Sequence, residues 1–331
     1  MVNEEELKEE GNIKKFTGIP DEDFWKMMDE IEERFFEYEQ GRHESNKRER
    51  AYGGGPKYKM SLTMRIVMLL TYLRWYNTQE QIAMLFGGTQ SMLSRDLRRL
   101  LPLLKEVLPL PEVWEVVEGE EKPELSEEEK LELVEMGAKV LIDAFEQPVN
   151  RPKKSKGGEP YYSGKKQTCT IKTQMVTDNE HHIEAISGEV PGSKHDKKLC
   201  EEVQTLERIP DGSEVLGDKG YQGLDKEVEK VEVIDVETGE VREVPRIVVT
   251  TPKKKPKGGE LTKCDKALNR TIGRIRVRIE HCVGWVKNWK IVREKYRCAK
   301  NIYTSILQVV CGFVNAQTLL WQAAKLETEL A

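Results

Sequence analysis

The sequence has no long hydrophobic run and no closely paired cysteines, and each absence excludes a class of protein. The longest nearly apolar stretch, from Ile66 to Leu73, is far shorter than the ~20 residues that a membrane-spanning helix needs. The six cysteines form no CxxC pair, which argues against a zinc knuckle or a disulfide framework and favours free thiols. The first residues are acidic, so we expect no secretory signal, a cytoplasmic protein and no membrane partner.

The net charge of −5 hides a strong segregation of charge along the 331 residues. Residues 1–40 contain 14 acids and 5 bases, and residues 112–135 contain 11 acids and 2 bases. Residues 253–300 contain 16 bases and 4 acids, and residues 148–172 contain 7 bases and 1 acid. Local basic surface attracts phosphates whatever the total charge. A nucleic-acid partner is therefore open, and the alternative is that these segments are ordinary solvated faces.

Helical patterns dominate the N-terminal part of the chain. Residues 1–59 combine a helical segment over 21–40 with a basic, glycine-rich linker. Residues 60–108 contain three further helical patterns, of which the second begins with a capping box at Thr78 and the third is stopped or kinked by Pro102. The glycine turn between the second and third helices is typical of a helix-turn-helix DNA-binding domain.

The third of these helices has the two faces that a groove-reading helix needs. Leucines occupy its predicted inner face at positions 93, 97, 100 and 104. The opposite face has the polar and basic residues that we expect to bind DNA, namely Ser91, Arg95, Arg98 and Arg99. The alternative is an amphipathic helix with a solvated front.

After an acidic linker over 109–136, residues 137–326 predict a domain of another class. We expect strands over 139–145, 168–177, 182–190 and 214–216, and a hairpin over 231–249 that continues to 251. Helices are expected over 195–205, 261–293 and 301–326. This order predicts an α/β domain with a mixed sheet covered by helices.

Three acids in this domain are placed where chemistry is possible. Asp143 lies near the end of the first strand, Asp218 follows the fourth strand, and Glu280 lies on the long helix. Arg276, Glu280 and Lys287 share the edge of that helix's apolar stripe. Asp196, at a helix start, is either a first-turn acid favoured by the helix dipole or a support for a metal site.

Together these residues lie in motifs that resemble the DDE-type transposases, and among them the insertion-sequence-five and PIF/Harbinger-like group. The motifs are VLIDAFEQPVNRP at 140–152, YYSGKK at 161–166, TIKTQ at 170–174, PGSKHD at 191–196 and LGDKGY at 216–221. The resemblance covers about residues 140–320. It implies a ribonuclease-H-like mixed sheet flanked by helices, preceded by the all-α helix-turn-helix domain.

The resemblance also implies roles for individual residues. Asp143, Asp218 and Glu280 match the catalytic, metal-binding acids, and Arg276 and Lys287 match the basic residues of the family's tyrosine-arginine-glutamate-lysine signature. Gly273 stands where that signature has its tyrosine. Two Mg²⁺ ions, replaceable by Mn²⁺, would activate the attacking oxygen and stabilise the leaving one. We expect three lysines to hold the DNA backbone, namely Lys165, Lys166 and Lys172.

The function implied by the resemblance is that of a DNA transposase. Such an enzyme cleaves at the terminal inverted repeats of its element and joins the freed 3′-hydroxyl to target DNA. Because two ends must be paired, a homodimer or larger assembly on duplex DNA is implied. Two alternatives remain open: a domesticated endonuclease or DNA-binding protein without transposition, and a transcriptional regulator that uses only residues 61–104.

Overall fold

The computed structural model describes residues 1–45, 58–116, 139–151, 161–234 and 241–330. They form two compact units. Unit 1 comprises Met1–Leu110 and Val286–Ala316, and unit 2 comprises Pro111–Trp285 and Gln317–Ala331. This division differs from the predicted domain over 137–326, because the segment Val286–Ala316 packs with the N-terminal helices.

The described residues form helices at the following positions: α1 (Glu4–Lys8), α2 (Asn12–Thr17), α3 (Asp21–Ser45), α4 (Leu62–Trp75), α5 (Gln79–Leu85), α6 (Gln90–Val107), α7 (Asp196–Glu202), α8 (Thr205–Arg208), α9 (Lys263–Lys287), α10 (Lys290–Arg293) and α11 (Tyr303–Leu330). They form strands at β1 (Glu112–Trp114), β2 (Lys139–Pro148), β3 (Tyr162–Ser163), β4 (Thr168–Thr177), β5 (Ile183–Ser187), β6 (Val190–Pro191), β7 (Glu214–Leu216), β8 (Lys230–Ile234), β9 (Val241–Pro245) and β10 (Val248–Thr250).

Unit 1 is built around α4, which is buried at every position from Met64 to Leu73. This burial includes Arg65, whose guanidinium donates two hydrogen bonds, of 2.6 and 3.0 Å, to the carboxylate of Asp96 on α6. The ring of Tyr58 lies 4.1 Å from the guanidinium carbon of Arg65. A buried charge needs such a partner, because an unpaired ion in the interior is very costly.

The predicted helix starts and the predicted inner face of α6 are confirmed, whereas α6 does not stop at Pro102. The Thr78 hydroxyl accepts a hydrogen bond from the amide of Gln81, whose side chain accepts one from the Thr78 amide, as in a capping box. Helix α6 passes through Pro102 and ends at Val107. Both Pro102 and Arg98 are exposed, so water can satisfy the Arg98 carbonyl that the proline deprives of a donor.

The sheet of unit 2 has the strand order β1-β5-β4-β2-β7-β10. Strand β4 is antiparallel to both β2 and β5, while β7 is parallel to β2 and to β10. Without the edge strand β1, the remaining five strands lie in the order β5-β4-β2-β7-β10. Numbered by their order along the chain, this is 3-2-1-4-5. This confirms the predicted ribonuclease-H-like mixed sheet. Strand β1 lies within the segment that was predicted to be a linker.

Helices cover both faces of this sheet. On one face α7 and α8 contribute to a core that contains Ile142 and Val215. On the other face α9 packs against the sheet through Ile272 and Ile279, which contact Leu141 and Leu216. Because side chains alternate along a strand, Asp143 lies on the same face of β2 as Leu141, which is the face covered by α9.

Most predicted elements of unit 2 are observed, several of them with shifted ends. Strand β2 is longer than predicted, and the expected third strand is divided into β5 and β6. Strands β8 and β9 form a separate two-stranded sheet, and the hairpin tip at 235–240 lies outside the described residues. The expected helix to residue 293 ends at Lys287 and is followed by α10.

All six cysteines are free thiols, as predicted. Only Cys264 is exposed, and Cys298 is partly buried. One segment, Lys300–Leu326, is long and apolar enough to cross a membrane by length and composition. Because 61% of its most apolar window is buried in the protein, it is equally typical of a core helix.

Candidate active site

Asp143, on β2, is a partly buried carboxylate whose surroundings oppose its ionisation. Its side chain is 23% exposed, and its Oδ1 accepts a hydrogen bond of 2.8 Å from the amide of Ala144. Burial raises the pKa of Asp143 to about 6, against the opposing effect of Arg276. The nearby charges of Asp218 and Asp196 raise this pKa further. Ionisation of this carboxyl group is therefore unfavourable in the metal-free protein, first because of burial and then because of the neighbouring acids.

Asp218 and Asp196 approach each other over Gly220. Asp218 follows β7 and begins the turn Lys219–Tyr221, where its Oδ1 accepts a 2.6 Å hydrogen bond from the Gly220 amide. A Cβ atom at position 220 would lie 2.8 Å from Oδ1 of Asp218 and 2.8 Å from Oδ2 of Asp196. Glycine at this position thus leaves room for two carboxylate groups beside the carboxyl end of the sheet.

Arg276 lies between the acids of β2 and α9. Its Nη2 is 3.3 Å from Oδ2 of Asp143, and its Nη1 is 3.8 Å from Oε1 of Glu280. The Nε of Arg276 is buried without a hydrogen-bond partner among the described residues. The side chain of Glu280 is 56% exposed, so this acid can move more freely than Asp143. The arginine shares one charge between two carboxylates and fully satisfies neither.

Lys172 is buried, which does not suit its predicted contact with DNA. Its Nζ donates hydrogen bonds of 2.7 Å to Oδ1 of Asp196 and 2.5 Å to the carbonyl of Lys194, and lies 3.9 Å from Glu146. The residue is only 7% exposed. Strand β4 therefore directs this cation toward α7, where it holds Asp196 in place.

Asp196 belongs to the same cluster as Asp143 and Asp218, although the sequence analysis left its role open. The signal that could have identified it is its position in the PGSKHD motif, directly before a helix. Glu146, which the sequence analysis did not select, is largely buried and accepts a 2.7 Å hydrogen bond from the Thr170 hydroxyl. It is therefore engaged within the sheet.

The remaining predicted residues are distributed over both units. Lys165 and Lys166 are exposed in unit 2, directly after β3. Lys287 is the last residue of α9 and belongs to unit 1. On α6, the exposed or partly exposed residues include the four predicted DNA contacts, Ser91, Arg95, Arg98 and Arg99. The structure thus brings together Asp143, Asp218, Arg276 and Glu280, with Asp196 as an additional member.

The donor set of this cluster fits a hard divalent cation. All the candidate ligands are carboxylate oxygens, which Mg²⁺ prefers, and the space over Gly220 is bordered by two of them. Among the described residues, no three acidic, histidine or cysteine side chains are already arranged as a metal site. Arg276 instead partly neutralises the acids at the position between Asp143 and Glu280.

Comparison with known proteins decides the family. Residues 142–315 match the family described as DDE superfamily endonuclease, which is more than half of the chain. The chain belongs to the DDE superfamily endonucleases. Members of this superfamily depend on divalent metal ions and act on DNA, in agreement with the carboxylate cluster. The matched range contains Asp143, Asp218 and Glu280.

This DDE endonuclease is also similar to individual proteins. It is 26% identical over 277 residues to the "Probable transposase for insertion sequence element IS702" of Microchaete diplosiphon, covering 80% of this chain and 84% of that protein. The "Mos1 transposase paired-end complex with left transposon end" covers 74% of this chain and 83% of its own at 11% identity. Its TM-score of 0.19 is too low to support an argument about fold.

Proposed function

We propose that this chain is a DNA transposase that cleaves DNA at the ends of its element and joins them to target DNA. The observation that carries the proposal is the convergence of Asp143, Asp218 and the α9 residues Arg276 and Glu280 on a ribonuclease-H-like sheet. The similarity to a probable transposase over most of both chains supports it. No observation favours a domesticated relative or a regulator that uses only residues 61–104.

Asp143, Asp218 and Glu280 would hold a pair of divalent cations, for which we propose Mg²⁺, with Mn²⁺ as a substitute. When bound, such ions activate an attacking oxygen and stabilise the leaving oxygen in phosphodiester displacement. The chain itself orients the ligands. The Gly220 amide fixes Asp218, the Ala144 amide fixes Asp143, and Lys172 fixes Asp196 beside them.

Arg276 has two functions in this proposal. In the metal-free protein its guanidinium limits the repulsion between Asp143 and Glu280, which would otherwise oppose their approach. With DNA bound, its incompletely used guanidinium can donate hydrogen bonds to a phosphate near the cut, for which arginine geometry is well suited. We propose that Lys287 also contacts DNA.

DNA recognition is proposed for the exposed face of α6. Helices α5 and α6 are joined by a turn in which Gly87 adopts a φ of +70°, and the inner leucines of α6 are buried. These features support the proposal of a helix-turn-helix, in which α6 would be the helix that enters the major groove. Lys165 and Lys166 would contact the backbone, and a homodimer or larger assembly in the cytoplasm would pair two DNA ends.

The test is cleavage of a supercoiled plasmid that carries the gene with its native flanking DNA. Wild type, Asp218→Ala and Asp225→Ala are compared, each with Mg²⁺ and with EDTA. Asp225 is an exposed aspartate seven residues beyond Asp218 and serves as the matched control. We expect Mg²⁺-dependent cuts at the element's ends for wild type and the control, and a loss of about 10³-fold or more for Asp218→Ala.

Cuts that persist in Asp218→Ala would show that the acid is not a catalytic ligand. The absence of cutting by wild type at any flank, with DNA binding intact, would overturn the transposase proposal in favour of a DNA-binding role. Inverted repeats at the mapped cut sites distinguish a transposase from a domesticated nuclease.

A further inference from the structure

A basic cleft lies in unit 1, where the turn after α4 meets the segment around α10. It has a volume of about 330 Å³ and is lined by Trp75, Tyr76, Lys290, Glu294, Lys295 and Arg297. The first two of these residues precede the other four by more than 200 positions in the sequence. The two groups meet because Val286–Ala316 packs with the N-terminal helices. None of them has a role in the cluster of acids in unit 2.

The charge of the cleft is strongly positive. Lys290, Lys295 and Arg297 are all exposed, and Glu294 is the one acid among the lining residues. The carboxylate of Glu294 accepts hydrogen bonds of 3.1 and 2.9 Å from Arg293, which balances its charge. Within the described parts of the chain, neither Lys290 nor Lys295 has an ion-pair partner. Two unneutralised ammonium groups therefore face the same open space.

Arg297 is held rigidly at this cleft. Its Nη2 donates hydrogen bonds to the carbonyls of Tyr76 and Asn77, and its guanidinium carbon lies 4.3 Å from the centre of the Tyr76 ring. The backbone amide of Arg297 donates a 2.6 Å hydrogen bond to the Tyr76 hydroxyl. The guanidinium keeps its Nε and Nη1 donors for a ligand, in a position that is already ordered.

The partner of Arg297 has an unusual backbone. Tyr76 adopts a left-handed conformation with φ of +51°, which is uncommon for residues other than glycine and especially for bulky ones. Such outliers concentrate at ligand-binding sites, where the surrounding structure enforces them. Here the conformation ends α4 and brings the Tyr76 ring under Arg297.

We propose that this cleft binds the phosphodiester backbone of duplex DNA through Lys290, Lys295 and Arg297. The proposal rests on the proposed DNA transposase function and adds a contact surface to it. The turn at Tyr76 and Asn77 leads directly into α5, and the first helix of a helix-turn-helix crosses the DNA backbone. Contacts of this kind position the protein without reading sequence. The segment after α9 would thereby add contacts with the DNA backbone to those of α5 and α6, which lie near the N-terminus of the chain.

The experiment measures duplex binding by the full-length protein in EDTA, so that cleavage does not occur. Fluorescence anisotropy compares wild type with Lys290→Gln/Lys295→Gln, at NaCl concentrations from about 0.05 to about 0.3 M. The matched control is Lys14→Gln/Lys15→Gln, which removes two exposed lysines of α2 in the same unit. Thermal melting verifies that all three proteins are folded.

The expected result concerns the salt dependence. Each lost phosphate contact reduces the magnitude of the slope of log K against log [salt] by about 0.9. The cleft variant lacks two such contacts, so its slope should be smaller by about 1.8 and its affinity for duplex DNA about 30-fold lower at physiological salt. The loss of affinity should be equal for duplexes with the sequence of the element's end and for duplexes of random sequence. The control variant should keep the wild-type slope. An unchanged slope in the folded cleft variant overturns the proposal.

A second measurement separates backbone phosphate from free phosphate. Inorganic phosphate is titrated into wild type and the cleft variant at constant ionic strength. Lysine-dependent binding of inorganic phosphate together with an unchanged DNA slope would assign the cleft to a small anion and overturn the DNA contact. Plasmid cleavage remains an independent result: an unchanged slope with intact cleavage contradicts only the cleft, whereas a reduced slope without cleavage contradicts only the transposase function.

Discussion

The two units each contain an arginine that faces an aspartate inside the fold, and the two pairs are built differently. In unit 1, Arg65 and Asp96 form two hydrogen bonds and are both almost fully buried. In unit 2, Arg276 reaches Asp143 at 3.3 Å and Glu280 at 3.8 Å, and its Nε has no partner among the described residues.

The difference shows which pair is structural and which belongs to a reactive site. The Arg65–Asp96 pair is complete, because donors, acceptors and charges are matched within the helical core. Burial raises the pKa of Asp143 to about 6, and the nearby acids Asp218 and Asp196 add to this effect against the opposing charge of Arg276. Positive charge from outside the chain can stabilise this second region, whereas the first has no need of it. An incomplete charge balance of this kind favours a functional site.

The largest expected difference is in the free energy of unfolding, which only one of the two aspartate substitutions should lower. Asp96→Asn leaves the buried Arg65 without its counter-charge and should lower the free energy of unfolding by about 3–5 kcal/mol. Asp143→Asn removes an acid whose ionisation is unfavourable, so metal-free stability at neutral pH should be unchanged or higher. Urea denaturation followed by circular dichroism measures both. Equal losses in the two variants would remove the distinction between the pairs.

The pH dependence of stability gives the next largest effect. Because the folded-state pKa of Asp143 is raised, the folded protein holds this proton over a range in which the unfolded chain has released it. The group's contribution to stability is therefore greatest below pH ~4 and declines as the pH rises to ~6, by on the order of 2–3 kcal/mol.

Urea midpoints of the metal-free protein between pH ~4 and ~7 measure this decline. The control is Asp143→Asn under the same conditions, since it cannot titrate at this position. We expect the urea midpoint of the wild type to decline relative to that of the variant as the pH rises from ~4 to ~6. An identical pH profile of the midpoint for both proteins would contradict the raised pKa.

The smallest expected effect tests the space over Gly220. Gly220→Ala would place a methyl group 2.8 Å from carboxylate oxygens of Asp218 and Asp196, so the two acids must separate. We expect affinity for Mn²⁺, measured by isothermal titration calorimetry, to fall about tenfold, as for the loss of supporting contacts around a metal. Gly164→Ala is the control, because a Cβ there meets nothing within 4 Å. A tenfold loss in both variants would show that the effect is not local.

Local patterns predicted much of the sheet. Strands β4 and β7 have the predicted bounds, since β-branched and apolar residues alternate or cluster there between clear turn signals. The order of strands and helices followed from the same patterns, and the resemblance supplied the ribonuclease-H-like topology. The structure places Asp143, Arg276 and Glu280 together, while their catalytic roles remain predictions.

What the sequence could not reveal depends on contacts between distant residues. Lys172 looks like an exposed cation on a basic segment, and its burial follows only from its pairing with Asp196 on α7. Strand β1 exists because it pairs in parallel with β5, far along the chain. The packing of Val286–Ala316 within unit 1 has no local signal, since the predicted helix over 261–293 crosses the boundary between the units.

The distribution of thiols makes the protein convenient for site-selective labelling. Burial raises the pKa of Cys200 and Cys282 to about 12, so their nucleophilic thiolate forms are scarce at neutral pH. Cys298 lies 3.1 Å from the Tyr72 hydroxyl, and Cys264 alone is exposed, at the start of α9. A maleimide dye should therefore attach to the unmodified protein at Cys264, a few residues after the lysines at 253–257, without any cysteine being removed by mutation.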